Sequence, residues 1–271
     1  MDVKKVILGL ALSVILSNGS VVFAADFDKG LQAAQAGDFK TALAEWTPLA
    51  EQGYVDAQYN LGLMHDNGYG VPESHKTAVK WYTKAAEQGD ANAQYNLGVM
   101  YDNGEGVPEN DKTAVKWLTK AAEQGYVDAQ YNLGLMYANG EGVPENHKTA
   151  VKWYTKAAEQ GNASAQYNLG LMYDNGKGVP ANDKTTVKWY TLAAEQGHAE
   201  AQSNLGLMYH NGEGVLTDTK RAYMWFNLGS YNGSELGGEN KSATAKEMTP
   251  ADIYKAQDMS SRCLESNYTD C

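Results

Sequence analysis

The sequence predicts an all-α protein. The expected architecture is an α/α solenoid of stacked helix–turn–helix units, wound as a right-handed superhelix and closed by capping helices at both ends. Three observations predict it. The chain repeats itself with a fixed period of 36 residues, over 53–88, 89–124, 125–160, 161–196 and 197–232, the last drifting after Val215. The second and third units are identical at 29 of 36 positions, so the period is built in, and a period of this length is the signature of stacked supersecondary units. Within each unit the apolar residues recur at helical spacing, and glycine and proline punctuate them. With 43% hydrophobic and 10% aromatic residues among 271, the composition is that of a packed core.

In the second unit, Ala91–Asn103 reads as the first helix, with Ala93, Leu97, Met100 and Tyr101 on one stripe. Gly104 ends it, as a residue tolerant of the left-handed conformation just past a helix. Gly106, Val107 and Pro108 turn the chain, and Asn110 or Asp111 caps a second helix running to Gln124, with Ala114, Trp117, Leu118 and Ala121 inward. Such a pair cannot bury its stripe alone, so neighbours must stack on it. Gly62, Gly98, Gly134, Gly170 and Gly206 fall mid-helix, where each costs about 1 kcal/mol relative to alanine. The expected return is a close approach of the second helix, with Trp81, Trp117, Trp153, Trp189 and Trp225 packed over these glycines; burial of a large apolar side chain, worth roughly 1.5–3 kcal/mol, offsets the cost.

The ends depart from the pattern. Lys4 and Lys5 precede an apolar run over 6–16, and Val22 and Ala24 stand at the −3 and −1 positions of a cleavage site, so residues 1–24 read as a secretory signal peptide and the mature chain is expected to begin at Ala25. Eleven apolar residues reach roughly 17 Å, too short for a bilayer span, and no membrane insertion is expected after cleavage. Residues 25–52 read as an N-terminal capping pair, with helices over 27–36 and 39–52, a break at Gly37, a new cap at Asp38 and a bend at Pro48. Residues 229–240, rich in glycine and serine, read as a loop leading from the fifth repeat into a closing segment 233–271, and Thr249 with Pro250 starts a capping helix that ends near Glu265. Cys263 and Cys271 are the only cysteines. Export to an oxidising space favours a disulfide between them, with free thiols or an intermolecular bridge as the alternatives.

The recurring string A-x-A-Q-Y-N-L-G-L-M-Y-x-N-G-x-G-V-P, followed by K-T-A-V-K-W-Y-T-K-A-A-E-Q-G, resembles the Sel-1-like repeat, a tetratricopeptide-related family. In the first unit Ala57, Leu61, Gly62, Gly68, Gly70, Val71, Ala78, Trp81, Tyr82, Ala85, Ala86 and Gly89 carry the match, and it extends over roughly residues 38–230. The resemblance implies stacked helix pairs used as scaffolds for protein–protein contacts in secretory and envelope compartments.

The residues themselves point away from chemistry. The net charge of −11 disfavours nucleic acid and basic membrane attachment. Two cysteines and five histidines without H-E-x-x-H spacing leave no expected metal or cofactor. Cysteine-rich members of the resembled family are linked to β-lactam binding or hydrolysis, but the Ser-x-x-Lys, Lys-Thr-Gly and Ser-Asp-Asn strings of that chemistry are absent, as is a cysteine pair in each repeat. What remains is a surface. Turning about 100° per residue from Leu97 puts Tyr95, Asn96, Val99, Asp102 and Asn103 on the far side of the first helix. Their counterparts form ladders: Tyr59, Tyr95, Tyr131 and Tyr167; Asn96, Asn132 and Asn168; Asp102 and Asp174. On this reading the mature chain is a periplasmic or secreted monomer, not an enzyme, holding a protein or peptide of the cell envelope on the concave face of the solenoid. In the competing reading of the ladders the tyrosines pack between adjacent first helices while the asparagines bond to one another. The alternative functions are a β-lactam-interacting protein and a module for cell-wall glycan.

Overall fold

Two compact units make up the chain, one ending at Tyr126 and the other starting at Val127. A computed structural model describes residues 25–269 and 271, so the signal-peptide reading of 1–24 lies outside the described residues. Every regular element among these residues is helical. The first unit contains α1 (Phe27–Gln35), α2 (Phe39–Glu51), α3 (Val55–Asn67), α4 (His75–Glu87), α5 (Ala91–Asn103) and α6 (Asp111–Glu123). The second contains α7 (Val127–Asn139), α8 (His147–Glu159), α9 (Ala163–Asn175), α10 (Asp183–Ala194), α11 (Ala199–Asn211), α12 (Thr219–Tyr231), α13 (Glu235–Ala245) and α14 (Pro250–Glu265). Within each unit every helix up to α13 packs against the next, and α14 returns to pack on α12. This is solenoid-type stacking of 36-residue helix pairs.

Local chemistry sets the boundaries. Asn110 accepts a hydrogen bond from the Thr113 backbone N–H at 3.0 Å and caps α6, and Asp38 does the same for α2 through Thr41 at 3.1 Å. Gly104 closes α5 at φ +71°. Gly106 also has positive φ, and a Cβ there would lie 2.6 Å from the Lys76 backbone nitrogen, so the turn of one pair rests on the start of the previous second helix. Helix α2 continues through Pro48 to Glu51.

The structure corrects two readings. The tryptophans do not cover the mid-helix glycines; the next residue does. A Cβ on Gly62 would meet the Tyr82 ring at 2.5 Å, one on Gly98 would meet Leu118 at 2.7 Å, and Tyr154, Tyr190 and Phe226 occupy the same place over Gly134, Gly170 and Gly206. Trp46, over Gly30, stands at the position equivalent to Tyr82. Within each unit the repeat tryptophans instead join consecutive second helices. Trp117 sits among Ala78, Val79 and Tyr82 of α4, Trp189 among Ala150, Val151 and Tyr154 of α8, and Trp225 beside Tyr190, Ala193 and Ala194 of α10.

The second correction concerns residues 229–240, which are not a loop. They finish α12 and begin α13, whose first residue lies one period after that of α11. Gly237 and Gly238 masked the helix in the sequence, and packing requires the first of them, because a Cβ on Gly237 would fall 2.7 Å from the Ser230 backbone nitrogen. Ser234 caps α13 by accepting from the Gly237 N–H at 3.2 Å. Thr249 caps α14, with Pro250 in its first turn, and the buried Cys263 of α14 is joined to Cys271 by a disulfide. Asn232 donates to the Tyr268 hydroxyl at 2.7 Å, fixing the tail against α12.

The ring contacts predict unequal responses to adding one methyl group. Gly134→Ala puts a Cβ inside the rigid Tyr154 ring, and overpacking of this kind costs about 1–3 kcal/mol, more than the roughly 1 kcal/mol of helix propensity gained. Gly98→Ala meets the flexible Leu118 and is expected to cost less. Urea melts of both variants check the order, and equal stability of the two would contradict the ring as the cause.

Candidate functional site

The candidate site is the face of the first helices, and its residues are held by the seams between consecutive pairs. Leu97 is fully buried, Tyr95, Asn96, Val99 and Asp102 are half-buried, and Asn103 is exposed. Tyr59, Tyr131 and Tyr167 are half-buried too, each about 6 Å from the ring over its own glycine: 5.9 Å to Tyr82, 6.1 Å to Tyr154 and 5.9 Å to Tyr190. Tyr59 packs with the core built around α4 and α5, and Tyr167 with the core around α10 and α11. Burial pushes the Tyr59, Tyr82, Tyr154 and Tyr190 phenols above the ordinary tyrosine range, so all four are neutral.

The asparagine ladder joins tyrosines rather than asparagines. Asn96 lies in hydrogen-bonding reach of both the Tyr59 and Tyr82 hydroxyls of the preceding pair, Asn204 of Tyr167 and Tyr190, and Asn168 of Tyr154. Asn132 is half-buried at the equivalent place. Tyr95 differs because its own pair has Leu118 where the others carry tyrosine or phenylalanine, and its ring stacks on Tyr126 at 4.7 Å. Tyr167 also stacks on His198 at 4.6 Å. Asp174 is exposed and accepts from the Tyr190 hydroxyl at 3.5 Å, and Asp66 accepts from Tyr82 at 3.4 Å. The other Asp66 oxygen faces His75 Nδ1 at 2.9 Å, and this hydrogen bond raises the His75 pKa above the ordinary imidazole value.

Sequence reasoning missed a second ladder beneath the first. Gln58, Gln94, Gln166 and Gln202 are buried, and each donates from Nε2 to a last-turn carbonyl of the preceding second helix: Ala50, Ala86, Ala158 and Ala194, at 2.9–3.1 Å. Their Oε1 atoms accept from Gln88, Gln124, Gln196 and Asn232 at 2.7–2.9 Å. Gln88 and Gln124 donate in turn to the Gly53 and Gly89 carbonyls at 3.0 Å. The signal was available, since glutamine recurs beside a core alanine in every unit.

Charge is segregated between the two kinds of helix. The repeat first helices α3, α5, α7, α9 and α11 contain no lysine or arginine, and their acids are Asp56, Asp66, Asp102, Asp128, Asp174 and Glu200. The second helices carry Lys76, Lys80 and Lys84; Lys112, Lys116 and Lys120; Lys148, Lys152 and Lys156; and Lys184 and Lys188, all exposed. This lysine spacing is also legible in the sequence, but a net charge summed over the whole chain conceals it.

The sequence profile of the Sel1 repeat matches residues 55–90, 91–126, 127–162, 163–198 and 199–234, well over half of the chain. The chain belongs to the Sel1 repeat family. Sel1 repeat proteins are generally non-catalytic scaffolds for protein–protein interaction. Among solved structures, this Sel1 repeat chain is similar to the Sel1 repeat protein from Oxalobacter formigenes, with 34% identity, 88% of this chain and 99% of the other covered, and a TM-score of 0.77. It is also similar to c5321, a protective antigen of uropathogenic Escherichia coli displaying the same repeat fold (29% identity, 89% and 69% covered, TM-score 0.39), and to cysteine rich protein B of Helicobacter pylori (24% identity, 49% and 96% covered, TM-score 0.39). No curated protein matches the chain.

Two outcomes follow from these bonds. Gln94→Leu removes both the Ala86 and the Gln124 hydrogen bonds in a buried seam and is expected to lower stability by roughly 1–3 kcal/mol, measured by denaturant melts; a neutral substitution would show that the seam is held by packing alone. Because the Asp66 bond raises the His75 pKa, its stabilisation is complete below the ordinary imidazole value and is lost as pH rises through the raised one. In an NMR titration the His75 midpoint should fall in Asp66→Asn, and an unchanged midpoint would dissociate the two groups.

Proposed function

We propose that this Sel1 repeat protein is exported and, as a monomer, holds a protein or peptide of the cell envelope along the face of its first helices. The observation that carries the reading is the composition of that face. Over the first four repeats it carries the same tyrosine edge, side-chain amide and aliphatic group, the tyrosine giving way to Ser203 in the fifth, and its charged groups are all acidic. Tyr59, Tyr95, Tyr131 and Tyr167 supply half-exposed rings, Asn96, Asn132 and Asn168 supply amides, and Asp102 and Asp174 give the face a preference for a neutral or basic segment. Because Tyr59, Tyr82, Tyr154 and Tyr190 are packed and hydrogen-bonded before any partner arrives, little ordering cost falls on binding. Export is supported by the leader pattern of residues 1–24 and by the Cys263–Cys271 disulfide.

The test joins location to surface. N-terminal sequencing of protein from the periplasmic or culture fraction is expected to begin at Ala25. In envelope extract, a photo-crosslinking residue at position 102 or 174 should capture the same partner, and Tyr131→Ala should weaken its capture by about 1 kcal/mol or more at a temperature where the variant remains folded. Retention of the uncleaved chain in the cytoplasm, or capture only from the turns around Glu105 and Glu141, would overturn the reading.

A further inference from the structure

Each unit carries a second face that the first-helix reading does not use. In the first unit, the exposed positions of α4 and α6 are Lys76, Lys80 and Lys84 and Lys112, Lys116 and Lys120, plus one glutamate near each helix end. Spacing of four residues sets the lysines in a row, about 6 Å apart along the axis. Like charges so placed destabilise a helix, and no acid stands within either row. None of the six is ion-paired with a described carboxylate. Instead, Lys84 lies 4.1 Å from the Trp81 ring centroid, and Lys120 and Lys116 lie 4.5 Å and 5.7 Å from that of Trp117. Since Trp117 fills the seam between α6 and α4, the ammonium groups of the exposed Lys116 and Lys120 lie over a fixed aromatic floor. In the second unit, α8 and α10 repeat the arrangement. A chain of net charge −11 thus concentrates half of its 22 basic residues on the four helices α4, α6, α8 and α10.

We propose that this lysine face docks an acidic protein segment, an extended strand with aspartate or glutamate at alternate positions. Alternate residues of an extended chain point to one side about 6.6–6.8 Å apart, close to the step of the lysine row. Exposed charges more than about 8 Å apart are largely screened at physiological salt. A narrow acidic segment therefore meets chiefly the row, whereas a long nucleic acid or an anionic membrane also meets the surrounding acids. The face lies on different helices from the first-helix site, so the scaffold joins two partners of opposite charge character.

The experiment uses the full exported chain and a fluorescein-labelled peptide of alternating glutamate and serine, followed by anisotropy, with tryptophan emission as a second signal because the ammonium groups lie over the rings. Saturable binding that weakens steeply with salt is expected. It should fall at least about tenfold when the row is neutralised in both units, by Lys76→Gln, Lys80→Gln and Lys112→Gln together with Lys148→Gln, Lys152→Gln and Lys184→Gln, a variant whose thermal melt should not drop, and it should be unchanged in Tyr131→Ala. The proposal is overturned by absence of peptide binding at low salt, by binding that survives the sixfold variant, by loss in Tyr131→Ala, or by tighter retention of duplex DNA or phosphatidylglycerol vesicles than of the peptide. None of these outcomes depends on the envelope partner of the first-helix face, so the two readings fail separately.

Discussion

Stacked helix pairs have to bring buried helix ends together without stranding polar groups, and here a glutamine does it. The last carbonyls of a helix have no partner further along it, and in a solenoid those of each second helix lie against the first helix of the next pair. The amides of Gln58, Gln94, Gln166 and Gln202 reach these carbonyls, and each is held by a second amide at the end of its own pair. A buried amide tied at both ends has little freedom to rotate, so it sets the axial register of one pair on the next. The apolar contacts alone would tolerate some sliding, as alanine and leucine surfaces are smooth.

Once the register is fixed, the aromatic groups divide the remaining work. The ring over each mid-helix glycine closes a pair on itself, and the tryptophan one residue earlier closes consecutive second helices on each other. The first-helix tyrosine then covers the inner seam, with an asparagine of the following pair at its hydroxyl. The first-helix face proposed to hold a partner is therefore the outer edge of the packing. Changes there are expected to affect stability as well as binding, whereas the lysine faces can vary with little effect on the core.

Much of this was legible in the sequence. The glycine after the first helix marked Ala91–Asn103 to the residue, and Asn110, one of the two caps the sequence offered, is the cap of α6. The register of the tryptophan was not legible, because Trp117 and Leu118 both point inward by periodicity and lie only about 100° apart; which one meets Gly98 depends on how far the two helices are offset along their axes. The α13 helix was hidden because Gly237 and Gly238 look like a loop until the neighbouring backbone that needs the first of them is seen. For the candidate site, the spacing identified the face. The way each tyrosine is shared with the next pair was not visible, since hydrogen bonding between units 36 residues apart leaves no local pattern. The lysine rows were plainly written, but a summed charge erases the difference between two faces of one chain.

The glutamine bonds always span the same distances along the sequence, eight residues back to the previous pair and 30 onward to the end of their own. Losing or gaining one whole repeat in frame returns every donor to an equivalent acceptor, whereas losing part of a repeat breaks all the joints at that point. The array is thus tolerant of recombination between its own near-identical segments. Its length, and with it the number of side-by-side recognition elements, is a quantity that heredity can adjust in whole steps while the joints between repeats stay the same.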